Sequence, residues 1–242
     1  MTTFNDNGID ATKLDWKRIS HLLKIGFVAS CLAMVSDMLL GWGTKNPEYT
    51  GMKNFFSLYD SISDSRIFWS SLLGFIGIPL EGLCYFAIYR MIAPFSSKYA
   101  HIFRNGVIGY IGFAGCGVHV QCLAAVYVYK LLLGISPDTA VDNAIRFGCF
   151  FLLPGMIVFI IFFFVQMIAQ IMAFAKGLTP YPKWCWIFCT LVGMLATQLL
   201  KIFGNYSLIN ALTAGWISIG NIWMFGGLLL MMNKANTTKS KE

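Results

Sequence analysis

Charged residues are scarce in this sequence. Asp, Glu, Lys and Arg together make up 12% of its 242 residues, whereas hydrophobic residues make up 57%. A soluble domain usually carries about 25% charged residues. The chain also lacks a long polar segment in which a separate soluble domain could fold. These absences argue against an ordinary soluble protein and predict an integral membrane protein with one domain.

Motifs for the common cofactors and nucleophiles are also missing. The chain has no G-x-S-x-G sequence and no flavin, nicotinamide or haem signature. Its three histidines do not cluster, because His21 and His101 fall near the cytoplasmic ends of spans, far from His119. An odd number of cysteines (seven), none of them in an outer loop, argues against a disulfide framework. Cys185 and Cys189 lack a matching pair, so we predict neither a metal nor a cofactor.

Six apolar runs are each long enough to cross a bilayer, which takes about 20 residues in an α-helix. Backbone groups in lipid must bond to one another, so such runs predict helices and not loops. The sequence therefore predicts an all-α, polytopic membrane bundle of six transmembrane helices. The predicted spans are 20–42, 68–93, 106–132, 144–174, 184–203 and 207–232.

The distribution of charge predicts the orientation of the bundle. The formal net charge is +7, and basic residues such as Lys17, Lys98 and Lys176 gather before span one and after spans two and four. Such positive flanks favour the cytoplasm, which places both termini there. Residues 1–19 are then a cytoplasmic or interfacial segment, 20–232 the transmembrane domain and 233–242 a disordered cytoplasmic tail. Because orientation explains the basic residues, we predict no nucleic-acid partner.

Three ionisable residues lie inside the predicted spans, which is costly in a bilayer unless they are paired or hydrated. These are Asp37, Glu81 and His119. Each shares a helical face with glycine or other small residues, and such faces mark close helix contacts. We therefore expect all three side chains to point into the bundle, where they are candidate catalytic residues.

A polar stripe on spans five and six predicts where a ligand would bind. At about 1.5 Å per residue, Glu81 and His119 fall near the midplane and Asp37 lies roughly 9 Å towards the outer side. The inner half is poor in polar residues, so the pattern favours a pocket that opens outward. Its candidate ligand-binding residues are Gln198, Asn210, Thr213, Trp216 and Asn221.

These residues leave three functions open. A carboxylate beside a histidine, such as Glu81 with His119, suits general acid/base catalysis of a lipid-like substrate. The same residues suit a proton-coupled transporter, or a buried network that only fixes the helix register. Whether the protein is an enzyme is left undecided. The expected partners are membrane lipid and an amphipathic small molecule, and the oligomeric state is left open.

Two further patterns bear on the pocket. In the outer connection, Phe55, Phe56 and Tyr59 fall near helical spacing, which predicts either an amphipathic segment that covers the pocket or a tethering loop. Pro154 interrupts span four and predicts a kink, because proline lacks the amide hydrogen of an internal helical bond.

The first two spans resemble an uncharacterised family of bacterial six-helix integral membrane proteins. The resemblance rests on the segments Ser36-Asp37-Met38-Leu39-Leu40-Gly41-Trp42, Leu73-Gly74-Phe75-Ile76-Gly77-Ile78-Pro79-Leu80 and Ala87-Ile88-Tyr89-Arg90. It implies a bacterial inner-membrane location but no activity. The acidic residue and leucines at the outer end of span one are also similar to lysoplasmalogenase-type membrane hydrolases.

Overall fold

The computed structural model describes residues 14–237, and these residues form helices and connections with no β-strand among them. Five helical stretches are long and apolar enough to cross a membrane. They are Trp16–Gly41, Asp64–Ile92, Ser97–Ile135, Pro137–Ala175 and Trp216–Ala235. The all-α class and the membrane-length helices that the sequence predicted are confirmed at this level.

The α-helices are numbered here in chain order. They are α1 (Trp16–Gly41), α2 (Gly51–Phe56), α3 (Asp64–Cys84), α4 (Phe86–Ile92), α5 (Ser97–Phe113), α6 (Val120–Ile135), α7 (Pro137–Phe147), α8 (Leu153–Ala175), α9 (Thr190–Gln198), α10 (Ser207–Ala214) and α11 (Trp216–Thr237). Helix α1 packs against α3, α10 and α11, α5 packs against α8, and α9 packs against α11.

The fifth predicted span differs from a single long helix. A 3₁₀-helix, Lys183–Ile187, comes first, and Cys189 is extended before α9 begins. Thr190–Phe203 is then a shorter apolar helix. The carbonyls at the break are satisfied by other elements, because Gln170 Nε2 donates to Phe188 O (3.1 Å) and Trp223 Nε1 donates to Ile187 O (2.8 Å). These tertiary hydrogen bonds replace the helical ones.

The sixth predicted span is divided into α10 and α11. The break falls at Gly215, whose Cα lies beside Asp37 and the Met34 carbonyl of α1. Helix α11 continues to Thr237, so it includes the first five residues of the predicted tail 233–242. The rest of that tail, and residues 1–13 of the predicted N-terminal segment, lie outside the described residues.

Two π-helical turns interrupt the long helices. Ala114–His119 joins α5 to α6, and Gly148–Leu152 joins α7 to α8 directly before Pro154. The second turn explains how the chain accommodates Pro154, whose missing amide hydrogen interrupts the usual bonding pattern. The first turn ends at His119, so this irregular backbone positions one of the candidate site residues.

Small residues lie where helices approach closely, as their spacing predicted. A Cβ atom on Gly106 would stand 2.7 Å from the Gln166 backbone of α8, and one on Gly155 would stand 2.5 Å from Gly117 O. Either contact is too short for a real side chain. The glycines therefore permit the close packing of α5 and the first π-helical turn against α8.

The connection between α1 and α3 folds as a short amphipathic unit. Helix α2 continues into a 3₁₀-helix, Ser57–Tyr59, and Phe56, Tyr59 and Ile62 are buried against α6 and α7. Lys45 of this connection also bonds to Asn205 in the turn before α10. We call this end of the bundle, with connections 42–63 and 204–206, the upper end. The lower end carries connections 93–96 and 176–182.

Candidate functional site

Two clusters of polar side chains, all buried except the partly exposed Asp37, occupy the interior between α1, α3, α5, α9 and α11. The upper cluster consists of Ser36, Asp37, Ser70, His119 and Ser218. The lower cluster consists of Glu81, Tyr85, Tyr110, Thr190 and Asn221. The three predicted ionisable residues do point into the bundle, but they are divided between the two clusters.

An acid–histidine contact forms the centre of the upper cluster. His119 Nδ1 lies 3.3 Å from Asp37 Oδ1, and the hydroxyl of Ser218 donates to Asp37 Oδ2 at 2.7 Å. The His119 side chain is 7% exposed and the Asp37 side chain 18% exposed. His119 therefore pairs with Asp37 instead of Glu81, and Asp37 is the more accessible member of the pair.

The second nitrogen of His119 acts as a hydrogen-bond donor. Nε2 lies 3.1 Å from the carbonyl of Ser70, which can only accept, and 2.9 Å from Ser36 Oγ. The Ser36 hydroxyl gives its hydrogen to the same carbonyl at 2.5 Å, so it accepts from His119. One proton therefore resides on Nε2, and the Asp37–His119 pair can exchange another between Oδ1 and Nδ1.

Helices α1 and α3 hold this arrangement through two matched serines. While Ser36 donates to the Ser70 carbonyl, Ser70 Oγ donates to the Ser36 carbonyl at 2.7 Å. Both residues are fully buried. These bonds fix the height of Asp37, the next residue along α1, against α3.

Ser36, His119 and Asp37 have the residue types of a nucleophilic triad, but Ser36 is not placed as a nucleophile. It has no exposed surface, and its hydrogen is already given to Ser70 O. A catalytic serine instead gives its proton to the histidine during attack on an accessible substrate. The arrangement therefore suits orientation of His119 by Ser36.

The lower cluster is organised by the amide of Asn221. Its Oδ1 accepts from Tyr85 OH at 2.5 Å and from Thr190 Oγ1 at 2.6 Å, and its Nδ2 donates to Glu81 Oε1. Tyr110 OH donates to the same Glu81 oxygen at 2.5 Å. All these groups are buried, so the cluster joins α3, α5, α9 and α11 through bonds shielded from water.

One side of Glu81 has no protein partner. Its Oε2 atom accepts no hydrogen bond from the residues in 14–237, and both polar atoms of the buried Gln166 side chain are also unpaired within that range. The nearby Ser30 hydroxyl gives its hydrogen to Gly26 O at 2.8 Å, so it cannot also donate to Glu81. Buried polar groups of this kind usually bind internal water.

A cavity of about 510 Å³ lies above the lower cluster and opens at the upper end. Its polar lining includes the Asp37–His119 pair, and Tyr110 contributes to its wall. Because Tyr110 also bonds to Glu81, this tyrosine is the member of the lower cluster that contacts the cavity. The remaining polar lining residues include Lys45, Gln198, Lys201, Asn210, Thr213 and Ser218.

Aromatic and aliphatic side chains also line the cavity, and together they are called here its apolar wall. Phe55, Leu58 and Tyr59 come from the upper connection, and Phe159 and Trp216 come from α8 and α11. Burial raises the pKa of Tyr59 above its usual range, so its hydroxyl remains protonated at neutral pH. The cavity thus combines polar and charged side chains with apolar surface.

Comparison with known proteins identifies the family of the chain. Residues 4–235 match a family of unknown function (DUF6796). The chain belongs to this family. No curated protein matches the chain, and no solved structure matches it. This match supports the part of the resemblance that predicted an uncharacterised family of helical proteins with membrane-length helices. The likeness to lysoplasmalogenase-type hydrolases gains no support.

In this DUF6796 member, the cavity brings together most of the residues predicted to bind a ligand. Gln198, Asn210, Thr213 and Trp216 line it together with Asp37 and His119. Asn221 does not line it and belongs to the lower cluster with Glu81. The catalytic and ligand-binding roles of these residues stay predictions, since their positions alone do not test them.

Sequence reasoning overlooked several residues at this site. Tyr110 was missed although it lies one turn after Gly106 on a glycine-rich face of α5. Lys201 was missed although it is a charge inside the fifth predicted span. Ser36 and its partner Ser70 were not singled out as site residues. A polar residue that matters only through a distant partner has no periodic pattern.

Proposed function

We propose that this protein is a six-span membrane protein that binds an amphipathic, lipid-like small molecule in the cavity at its upper end. In this proposal Asp37 and His119 contact the polar part of the ligand and exchange a proton with it. One observation carries the proposal: the Asp37–His119 pair lines a cavity that is also lined by several aromatic and aliphatic side chains. Ligand sites commonly combine a mostly apolar wall with a few oriented polar groups.

The size and composition of the cavity support a small amphipathic ligand. A volume of about 510 Å³ falls within the usual range of about 300–1,000 Å³ for small-molecule sites. The polar lining residues suit contact with a head group. The apolar lining residues Phe55, Phe159 and Trp216 suit contact with a hydrocarbon portion. Membrane lipid and its breakdown products have this division into polar and apolar parts.

The proposed orientation places the cavity mouth on the outer face of a bacterial inner membrane. Lys98 and Arg104 flank the lower end after α4, and Lys176 and Lys183 flank it after α8. The upper connections mix acidic and basic residues instead. By the positive-inside rule, the lower end and both termini are cytoplasmic. The shorter helix Thr190–Phe203, with the 3₁₀-helix before it, serves as the fifth of six crossings.

The decisive experiment measures ligand-dependent thermal stability of the purified protein. A panel of single-chain lipids and lipid metabolites is added in detergent, and Asp37→Asn is compared with Asp64→Asn. Asp64 carries the same charge at the upper end, but its side chain is 78% exposed and does not line the cavity. A ligand at 100 times its Kd adds about 2.7 kcal/mol to the unfolding free energy.

Stabilisation by one ligand class that is lost in Asp37→Asn and retained in Asp64→Asn would support the proposal. Trp216→Ala, which removes part of the apolar wall, should weaken the same ligand. No stabilisation across the panel, or equal stabilisation of all variants, would reject the cavity as a ligand site.

Proton-coupled transport is a second candidate, supported by the contact of Tyr110 with both the cavity and Glu81. A proton that reached Glu81 would need a further route through the lower half, where Gln166 has unpaired polar atoms. Proteoliposomes carrying a pH gradient would test this candidate. Substrate flux that requires the gradient and disappears in Glu81→Gln would favour transport over binding alone.

A further inference from the structure

Two lysines stand at the mouth of the cavity without an acidic partner. Lys45 comes from the upper connection and Lys201 from the 3₁₀-helix Leu199–Phe203, and both line the cavity. Within residues 14–237, neither ammonium group has a carboxylate within 4.0 Å; the acid–base pairs there are His119–Asp37 and Lys130–Asp64. Two positive charges therefore border the opening without local neutralisation.

Asparagine side chains hold the two lysine-bearing segments together. Asn205 Oδ1 accepts from Lys45 N at 3.1 Å, and Asn205 Nδ2 donates to Lys45 O at 2.8 Å. Asn210 Nδ2 donates to both Gly43 O (2.9 Å) and Asn205 Oδ1 (2.8 Å). These bonds connect the start of the upper connection to the turn before α10, so the position of Lys45 relative to that turn is fixed.

Aromatic packing further restricts Lys45. Its ammonium lies 5.9 Å from the centre of the Phe55 ring, within the range of a cation–π contact. Phe55 lines the cavity as well. Lys45 is only half-buried, so part of this lysine remains accessible to solvent beside Phe55.

The charge of the remaining lining does not offset the lysines. Among the residues that the structure describes, Asp37 is the only acidic side chain in the lining, and it already faces His119. The tyrosines of the lining carry no charge at neutral pH. A neutral or cationic head group would therefore leave two lysine charges unmatched at the mouth, whereas an anionic one would face both.

We propose that the mouth binds the phosphate of an anionic, single-chain amphiphile between Lys45 and Lys201. This inference rests on the proposed function and adds the head-group class. Lysine binds phosphate as a point charge without demanding one fixed geometry. The hydrocarbon part then lies along the apolar wall near Trp216, and the linking polar atoms lie near the Asp37–His119 pair.

The test compares three ligands that share one acyl chain and differ in head group. They are a lysophosphatidic acid (anionic), a lysophosphatidylcholine (zwitterionic) and a monoacylglycerol (neutral), each titrated into the purified protein while ligand-bound species are counted by native mass spectrometry. Inorganic phosphate is titrated in a separate arm, which distinguishes a lipid head group from free phosphate. We expect the lysophosphatidic acid to bind about tenfold more tightly than the zwitterion, a difference of about 1.4 kcal/mol.

The double variant Lys45→Gln/Lys201→Gln should remove this preference, and Lys53→Gln should retain it. Lys53 is exposed in α2 of the same connection but does not line the cavity, so it controls for the loss of a nearby positive charge. Melting temperatures without ligand verify that each variant is folded. Another outcome is that inorganic phosphate is the only ligand that binds and that the double variant loses this binding. That result would also support the phosphate site and would identify free phosphate, not a lipid head group, as the ligand.

Equal binding of all three acyl ligands, or an anionic preference that survives the double variant, would overturn the inference. The Trp216→Ala variant then distinguishes failure of the phosphate assignment from failure of the proposed function. Equal binding that is lost in Trp216→Ala leaves the cavity as a ligand site and removes only the phosphate assignment. Absence of binding by every ligand, including inorganic phosphate, removes both.

Discussion

The imidazole of His119 occupies the space that a Cβ atom on Gly74 would fill. An ideal Cβ built on Gly74 would overlap the Nε2 and Cδ2 atoms of the ring. Gly74 on α3 therefore allows His119 to reach the Ser70 carbonyl and the carboxylate of Asp37. Because the ring is fixed by bonds at both nitrogens, it has little freedom to yield.

Gly74→Ala should displace His119 and destabilise the protein. Loss of bonds at the buried imidazole is expected to lower the unfolding free energy by about 1–3 kcal/mol. Gly112→Ala is the matched control, since nothing lies within 4 Å of a Cβ there. An alanine in a helix is more favourable than glycine by roughly 0.5–1 kcal/mol. Thermal unfolding that is equal in the two variants would contradict this role of Gly74.

Replacing Asp37 and His119 together should destabilise the protein less than the two single replacements added together. His119→Gln removes the imidazole that faces the Asp37 carboxylate, and loss of a partner from a largely buried polar group costs about 1–3 kcal/mol. The double variant Asp37→Asn/His119→Gln removes the unpaired charge and should be less destabilised than the sum of the single variants. A double-mutant cycle of unfolding free energies measures this coupling.

His101→Gln is the control for the histidine change, because His101 is exposed near the lower end. Additive single effects would show that Asp37 and His119 do not interact. If His119→Gln instead removes ligand binding while the melting temperature stays at the wild-type value, the pair serves the ligand and contributes little to folding.

The stability of the protein should depend on the hydrogen bonds that Glu81 accepts in the lower cluster, and less on its charge. Glu81→Gln keeps an oxygen that accepts from Tyr110 and Asn221, so we expect a change in stability within about 1 kcal/mol. Glu81→Leu leaves the Tyr110 hydroxyl hydrogen without its acceptor and removes one of the two bonds that Asn221 Nδ2 donates, at a cost of about 1–3 kcal/mol for an unpaired buried group. Glu48→Leu, an exposed change in the upper connection, is the control. Equal melting temperatures for Gln and Leu at position 81 would show that the bonds to Glu81 contribute no stability.

Asn205→Ala should weaken ligand binding more than folding. Asn205 is exposed, so its bonds to the Lys45 backbone contribute little stability, but they position the mouth of the cavity. We expect a melting temperature close to wild type and a several-fold weaker affinity for the anionic lysolipid. Asn143→Ala, which removes an exposed side-chain bond to Thr139 O, should leave affinity unchanged. An unchanged affinity in Asn205→Ala would show that the lysine segments keep their positions without it.

Local patterns in the sequence determined the helical class, the membrane-length helices and the inward direction of the three ionisable residues. Long apolar runs form helices in lipid, because the backbone must satisfy its own hydrogen bonds there. Glycine spacing on α1, α3 and α5 marked the packed faces for the same local reason: helical periodicity places residues three and four apart on one side.

Only the tertiary structure decided which groups meet across those faces. The sequence favoured Glu81 as the partner of His119, yet the π-helical turn Ala114–His119 and the space at Gly74 place the imidazole against Asp37. It also predicted a continuous fifth span, where bonds from Gln170 and Trp223 instead support a break. Lys45 and Lys201 lie far apart in the chain and share one opening only after folding. Such pairings depend on the relative rotation and height of whole helices, which the periodicity of a single helix does not specify.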